Sequence, residues 1–338
     1  AVLMDGDFPI TERAIRGVTS NGMICSSKEL GLGEDADGIM VLDDSFVVGS
    51  DFSEYLELPD AVIELSITPN RPDAMSMIGI ARELAAYFHV DWRMPDTSPI
   101  EGNGSTDLTI EILDERCPRF TGREVRGVSM GSSPLWMQLR LERAGVRAIS
   151  NVVDVSNYVM LELGQPTHAF DYDRVADARI VVRSGQEGER LTTLDGVERT
   201  LGPADIVVAD GARGSSLGGT MGGEDSEVSD STTNVLVEVA SWDPPPLRRQ
   251  SRRHALRSEA SARYERGVDA AMPVPANHRM VRLITQTAGG VPVGDLVVTE
   301  SVPFEPVTIS LPLSLIEPVS YTHLRAHETE RTISYSVL

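Results

Sequence analysis

Apolar residues recur along this chain with two distinct periods. In TPNRPDAMSMIGIARELAAYFHV, Met77, Ile80, Ala81, Leu84 and Phe88 return at three- and four-residue steps behind Asp73, a good N-cap, which predicts a helix with that face on a core. SSPLWMQLRLERAG reads as a second helix, with Ser133 as cap, Pro134 at the first position and Gly145 beyond the end. A third starts near Ser150, places Val152, Val155, Val159 and Leu163 on one side with Ser156 and Asn157 beside the stripe, and stops at Gly164 and Pro166. From Ile180 to Trp242 the period drops to two. IVVRS, RLTTLDGVERTL, DIVVADGARGSSLGG and NVLVEVASW are short strand-like runs, with hairpin signals at Asp195-Gly196 and Asp210-Gly211. A capped helix follows from Asp243-Pro244, and an amphipathic one from about Pro273 to Gly289. This mixture predicts an α+β, multidomain protein.

Punctuation between these stretches suggests the organisation. Residues 1–48 are glycine-rich short strands that open in mid-pattern, as the end of a β-rich domain would. Residues 49–91 hold the first helix. Residues 92–107, WRMPDTSPIEGNGSTD, have linker composition. Residues 108–292 form the α+β module, and 293–318, with TISLPLSLIE, start a further unit. No apolar run approaches the roughly 20 residues of a spanning helix, and the first residues lack a signal-peptide layout, so no membrane is implied and the cytoplasm is the expected location. Cys25 and Cys117 are far apart and without metal-ligand spacing, so neither a disulfide framework nor a metal site is indicated.

A net charge of −21 excludes a protein that coats nucleic acid along its whole surface, and confines any such contact to a local patch. PPPLRRQSRRHALRSEASARYER is the one candidate. It gathers Arg248, Arg249, Arg252, Arg253 and Arg257 at helical spacing, either as a phosphate grip or as a solvated face balancing nearby acids.

Three places could carry chemistry. Alternation puts Glu238, in NVLVEVA, on the same face as Leu236 and Ala240, where a carboxylate needs water or a donor. The pattern leaves open an exposed edge strand or an acceptor for a ligand hydroxyl or amine. Gly218, Gly219, Gly222 and Gly223 in LGGTMGGEDS allow close backbone approach, but no Gly-Lys-Ser/Thr follows and the loop alone reads as a tight turn. His168, near Asp171 and Asp173, reads more readily as a hydrogen-bonded structural residue than as a general base.

Five ordered segments resemble the β subunit of bacterial phenylalanine-tRNA ligase. IRGVTSNGMICSSKELGLGEDADGIMVL is similar to the end of its OB-type tRNA-binding β-barrel, and ELSITPNRPDAMSMIGIARELAAY to the stretch after it. RAISNVVDVSNYVMLELGQPTHAFDYDRV, LGGTMGGEDSEVSDSTTNVLVEVASWDP and RRHALRSEASARYERGVD resemble its editing module. The resemblance implies a partial OB-type barrel in 1–48 and a tRNA-editing module in 108–292. The partners it implies are a phenylalanine-specific tRNA and a catalytic α subunit in an (αβ)₂ assembly. That assembly uses ATP and Mg²⁺, with no cofactor held by these residues.

By position, Glu238 matches the acceptor for the phenol of mischarged tyrosine, and His168, Asn157 and Ser156 match residues around the ester and amino group. Gly222 matches the loop against the aromatic ring, and Ser258 and Ala260 the wall that limits pocket size. Ser156 and Ser258 stand where the family often has Thr, so a hydroxyl is retained. Arg248, Arg249, Arg252 and Arg253 would meet tRNA. The end, 319–338, continues no family pattern and is expected to be a non-native tail on a fragment lacking both ends of such a subunit. A non-catalytic tRNA-binding module and a free-standing trans-editing deacylase are the alternative functions.

Overall fold

The computed structural model describes residues 2–3, 8–33, 36–42, 46–56, 60–303, 305–306, 308–312 and 314. The expected tail, 319–338, lies outside them. Before residue 49 the backbone forms two isolated antiparallel ladders, β1 (Val2–Leu3) with β2 (Phe8–Pro9) and β3 (Arg13–Ile15) with β4 (Val18–Ser20). A barrel requires strands bonded on both sides all the way round, and no closed barrel forms among the described residues.

After the short α1 (Phe52–Tyr55), α2 (Met77–Phe88) is a helix as its period predicts, but its cap and its buried arc differ from the expectation. Ser76 is the N-cap, accepting from the Gly79 amide at 3.0 Å. Asp73 instead lies in a preceding single turn and pairs with Arg71. Met77, Leu84 and Phe88 are exposed, while Ile78, Gly79 and Ala85 are buried. Ile78 joins the core around Val155, Val159 and Leu163, while Gly79 lies against the Asp73 carbonyl of the preceding turn, where a Cβ would collide.

The main body contains β5 (Thr109–Ile112), β6 (Arg119–Val128), α3 (Leu135–Arg143), α4 (Asn151–Leu163), β7 (His168–Asp171), β8 (Arg179–Ser184), β9 (Arg190–Thr192), β10 (Glu198–Thr200), β11 (Ile206–Ala209), β12 (Gly214–Leu217), β13 (Met221–Gly222), β14 (Asn234–Ser241), α5 (Pro244–Arg253), α6 (Glu259–Tyr264), α7 (Pro273–Thr287) and β15 (Gly289–Glu300). Ser133 does not cap α3. It is buried and donates to Asp154 Oδ2 at 2.5 Å, so α3 starts one residue later than predicted, tied at its entrance to α4. At α4 the expected stripe holds: Val152, Val155, Val159 and Leu163 are all buried, and Gly164 ends the helix at φ 76°.

Two sheets and a helical layer stack on one another. A four-stranded antiparallel sheet, ordered β15-β6-β14-β7, packs one face on α3, α4 and α7. Its other face meets a five-stranded sheet, ordered β13-β12-β11-β8-β5, in which β5 and β8 are parallel. The hairpin β9–β10 and Leu256 cover the far side of that second sheet. The α+β prediction therefore holds for the main body. The stretch 92–107 carries no helix or named strand but is pinned to the body, with the Asn103 amide donating to Pro292 O at 2.9 Å and Arg282 to Ser98 O at 3.1 Å.

Candidate functional site

Strand alternation decides where Glu238 points. Val235, Val237 and Val239 enter the core beneath the helices, while Leu236 and Ala240 enter the layer between the two sheets. Glu238 shares their parity and faces the inter-sheet layer at 7% exposure. An edge position is ruled out, because β14 is bonded to β6 on one side and β7 on the other, with Glu238 opposite Gly122 and opposite His168.

Around these two side chains lies a cavity of about 70 Å³. Glu238 and His168 border it from the four-stranded sheet, and Ser216, Leu217, Met221 and Gly222 from the end of the five-stranded one. Gly219 and Thr220 close it along the β12–β13 turn, and Ala260 and Tyr264 of α6 close it from the side. The space is about half that of a cavity of about 150 Å³ known to take benzene.

Electrostatics follow from burial. Loss of water pushes the Glu238 carboxyl up to about 8, so it is a neutral acid at pH 7. The same cause holds the His168 imidazole down at about 4, and it too is neutral. His168 as a whole residue is half-buried, but its Nε2 is sealed from water. Glu238 Oε2 and His168 Nε2 have no hydrogen-bond partner in the protein. Buried polar atoms of this kind normally have one, so the pair is poised for polar groups of a ligand. Phe170 holds the His168 ring edge-on, with centroids 4.5 Å apart. Gly222 is needed beside it, since a Cβ there would lie 2.5 Å from His168 Cε1.

The remaining candidates fall at different depths. Ala260 lines the cavity directly. Ser258 sits one step behind, capping α6 and donating to Thr220 O at 2.6 Å. Ser156 likewise acts through a neighbour, donating to Thr167 O at 2.7 Å. Asn157 lies next to it on α4, half-buried and outside the lining. Arg248, Arg249 and Arg252 are exposed on α5, as is Arg257 just beyond it. Arg253 is exposed as well, and pairs with Asp205, which also binds His254.

Tyr264 and Gln165 were not among the sequence candidates. Gln165 Nε2 donates to Tyr264 Oη at 2.9 Å and to Ala240 O at 3.0 Å, which braces the wall next to Glu238. Polar residues at buried positions were the only signal, and one sequence does not reveal burial. Cys25 and Cys117 are free thiols. Among the described residues no cluster of His, Cys, Asp or Glu has a metal-holding arrangement, and no helix is long and apolar enough to cross a membrane.

Comparison with known proteins gives this geometry a context. The family model of the B3/4 domain matches residues 116–289, a stretch that contains the whole cavity. The phenylalanine–tRNA ligase β subunit of Anaeromyxobacter dehalogenans is 50% identical over 85% of this chain and 36% of its own length. That of Syntrophotalea carbinolica is 47% identical over 86% and 36%. The β subunit of Geobacillus kaustophilus is 42% identical over 98% of this chain and 42% of its own. The chain thus spans well under half the length of these relatives. An N-terminal fragment of the phenylalanyl-tRNA synthetase β-subunit from Pyrococcus horikoshii aligns over 84% of this chain and 83% of its own at 16% identity, with a TM-score of 0.39, too loose to support a statement about fold.

Proposed function

Because the chain belongs to the B3/4 domain family and its relatives are phenylalanine–tRNA ligase β subunits, we propose that it carries the proofreading part of such a subunit: it binds phenylalanine tRNA and hydrolyses tyrosine wrongly attached to it. The observation that carries this reading is Glu238, a buried neutral carboxyl on an inner strand with Oε2 unpartnered at a cavity.

Tyrosine is preferred because its phenol supplies the partner that this oxygen lacks, which phenylalanine cannot. A buried polar atom without a partner costs about 1–3 kcal/mol, and a site built to bond a hydroxyl separates tyrosine from phenylalanine far better than an apolar pocket does. As a neutral acid, Glu238 both donates and accepts, and so complements a phenol, which does the same. His168 Nε2 positions the ester or amino group, and the attacking group is a positioned water rather than a protein nucleophile. Gly222 supplies a flat backbone surface for the ring, and Ala260 bounds the opposite side. Arg248, Arg249 and Arg252 take phosphates of the tRNA backbone.

The rest of the subunit's role belongs to the same proposal. The strands before residue 49 are part of an OB-type tRNA-binding module. A catalytic α subunit completes an (αβ)₂ assembly in the cytoplasm that charges tRNA with phenylalanine using ATP and Mg²⁺.

Deacylation of tyrosyl- and phenylalanyl-tRNA for phenylalanine by the purified chain, as wild type and as Glu238→Ala, tests this. Wild type is expected to clear the tyrosyl ester preferentially and the variant to lose that preference. Equal selectivity in the two proteins overturns the role of Glu238, and a chain that binds this tRNA without deacylating it is a docking module only.

A further inference from the structure

Gln250 is fully buried in a helix whose outward side is cationic, and it does not line the cavity. Its Nε2 donates to Gly218 O and to Thr220 Oγ1, both at 2.9 Å, and its Oε1 accepts from the Ile206 amide at 2.6 Å. One side chain therefore fastens α5 to β11 and to the β12–β13 turn. Leu247, on the same arc of α5, presses on that turn as well. Gly219 adopts φ +63°, and a Cβ added there would lie 2.5 Å from Leu247 Cδ1 and 2.9 Å from Trp242 Cδ1. Gly219 and Thr220 are themselves cavity wall. Arg248, Arg249 and Arg252 lie on the helix arc opposite Leu247, Gln250 and Ser251.

We propose that Gln250 is a positioning residue for the proofreading reaction: it holds the Gly218–Thr220 wall at the distance that brings a bound tyrosyl ester up to Glu238 and His168, and ties that wall to the arginine helix. This rests on the function proposed above. Two features set Gln250 apart from general packing. Its amide bonds only to one turn and the strand beside it, and the one other side chain from outside that turn that bonds to it among the described residues is Ser258, through Thr220 O, beside the bonds from Thr220 Oγ1 to Gly218 O and from the Gly218 amide to Ile206 O. Losing Gln250 frees the wall without removing any group that meets the substrate.

The test uses the full chain with Gln250→Met, which keeps length and volume but makes no hydrogen bond, and Gln250→Glu, whose carboxylate cannot donate. Kinetics with tyrosyl- and phenylalanyl-tRNA are expected to show kcat for the tyrosyl ester about tenfold lower or worse in the Met variant, because small misplacements near reacting groups cost that much or more. KM for tRNA should stay within about twofold, since the phosphate contacts are untouched. In Gln250→Glu, kcat should recover on the acid side of that carboxyl's titration, where it regains a proton to donate, and the wild type should show no such recovery. Amide hydrogen exchange should quicken at Leu217–Gly222 while Val235–Val239 stays protected.

Unchanged kcat and tyrosine preference in a Met variant with protected Val235–Val239 overturn the proposal, and so does unchanged exchange at Leu217–Gly222. Should the Met variant unfold, the pH-dependent recovery of Gln250→Glu decides. Should wild type fail to deacylate at all, the proofreading assignment falls, and the exchange data still report whether Gln250 secures the wall.

Discussion

Glu238 and His168 face each other directly across the ladder between β14 and β7, two titratable side chains of opposite type on one face of one sheet, each kept neutral by loss of water around its titrating group. Their shifts share a cause and run in opposite directions, which gives the stability of the protein a recognisable pH dependence.

The Glu238 carboxyl titrates near 4.5 when unfolded and at about 8 in the fold. Its contribution to stability is fully present below 4.5 and is lost as the pH climbs to 8. The His168 contribution is present above 6.5 and is lost as the pH falls towards 4. Between 4.5 and 6.5 the two slopes oppose one another, and from 6.5 to 8 only Glu238 acts. Over that upper window denaturant titrations should show wild type losing stability relative to Glu238→Gln by on the order of 1 kcal/mol per pH unit. Parallel curves would mean that the carboxyl is already ionised in the folded protein.

Gly222→Ala should disturb the His168 ring before anything else. Its Cβ would lie 2.5 Å from Cε1 and 2.8 Å from Nε2, so the ring must turn away from Phe170. A loss of about 1–3 kcal/mol is expected, as for other overpacked sites, together with a displaced His168 resonance in NMR spectra. An unmoved resonance would place the glycine strand farther from the ring.

At the entrance to α2, cap and neighbour can be told apart by stability alone. Ser76→Ala should cost about 0.5–2 kcal/mol through the lost bond to Gly79. Asp73→Ala should cost under about 1 kcal/mol, because its pairing with Arg71 is an exposed one. Thermal melts of the two variants check the order, and the reverse ranking would restore Asp73 as the cap.

The arginines of α5 should separate in the same way. Arg252→Ala should leave stability within about 0.5 kcal/mol of wild type and lower the salt slope of tRNA binding by about one. Arg253→Ala should instead destabilise by about 1 kcal/mol, less than a fully buried pair would, because Asp205 keeps His254 as a partner and Arg253 is 39% exposed. A salt slope altered equally by both substitutions would put Arg253 on the binding surface after all.

Much of this was legible from local pattern. The α4 stripe with its terminal glycine, the hairpins at Asp195-Gly196 and Asp210-Gly211, and the facing of Glu238 with Leu236 and Ala240 all depend on neighbours within a few residues. What was hidden depends on distant ones. That β14 lies inside its sheet follows from pairing with Arg119–Val128 and His168–Asp171, and no period within NVLVEVA encodes those partners. For α2, two overlapping arcs were both apolar enough, and the choice fell to the docking of Ile78 on the core and to the close approach of Gly79 to the Asp73 carbonyl of the preceding turn. Arg253 reads like its neighbours until Asp205, far away in sequence, claims it. The volume of the cavity, likewise, is set by residues that only the fold assembles.

A carboxyl mounted on a strand clamped along both sides behaves as a fixed anvil, with no slack in the ladders to let it drift towards a smaller or larger guest. Under the proposed proofreading role, altered preference for a different amino acid is therefore to be sought in the other surfaces of the cavity, Met221 and Ala260, where trimming or lengthening one side chain reshapes the space and leaves Glu238 where it stands.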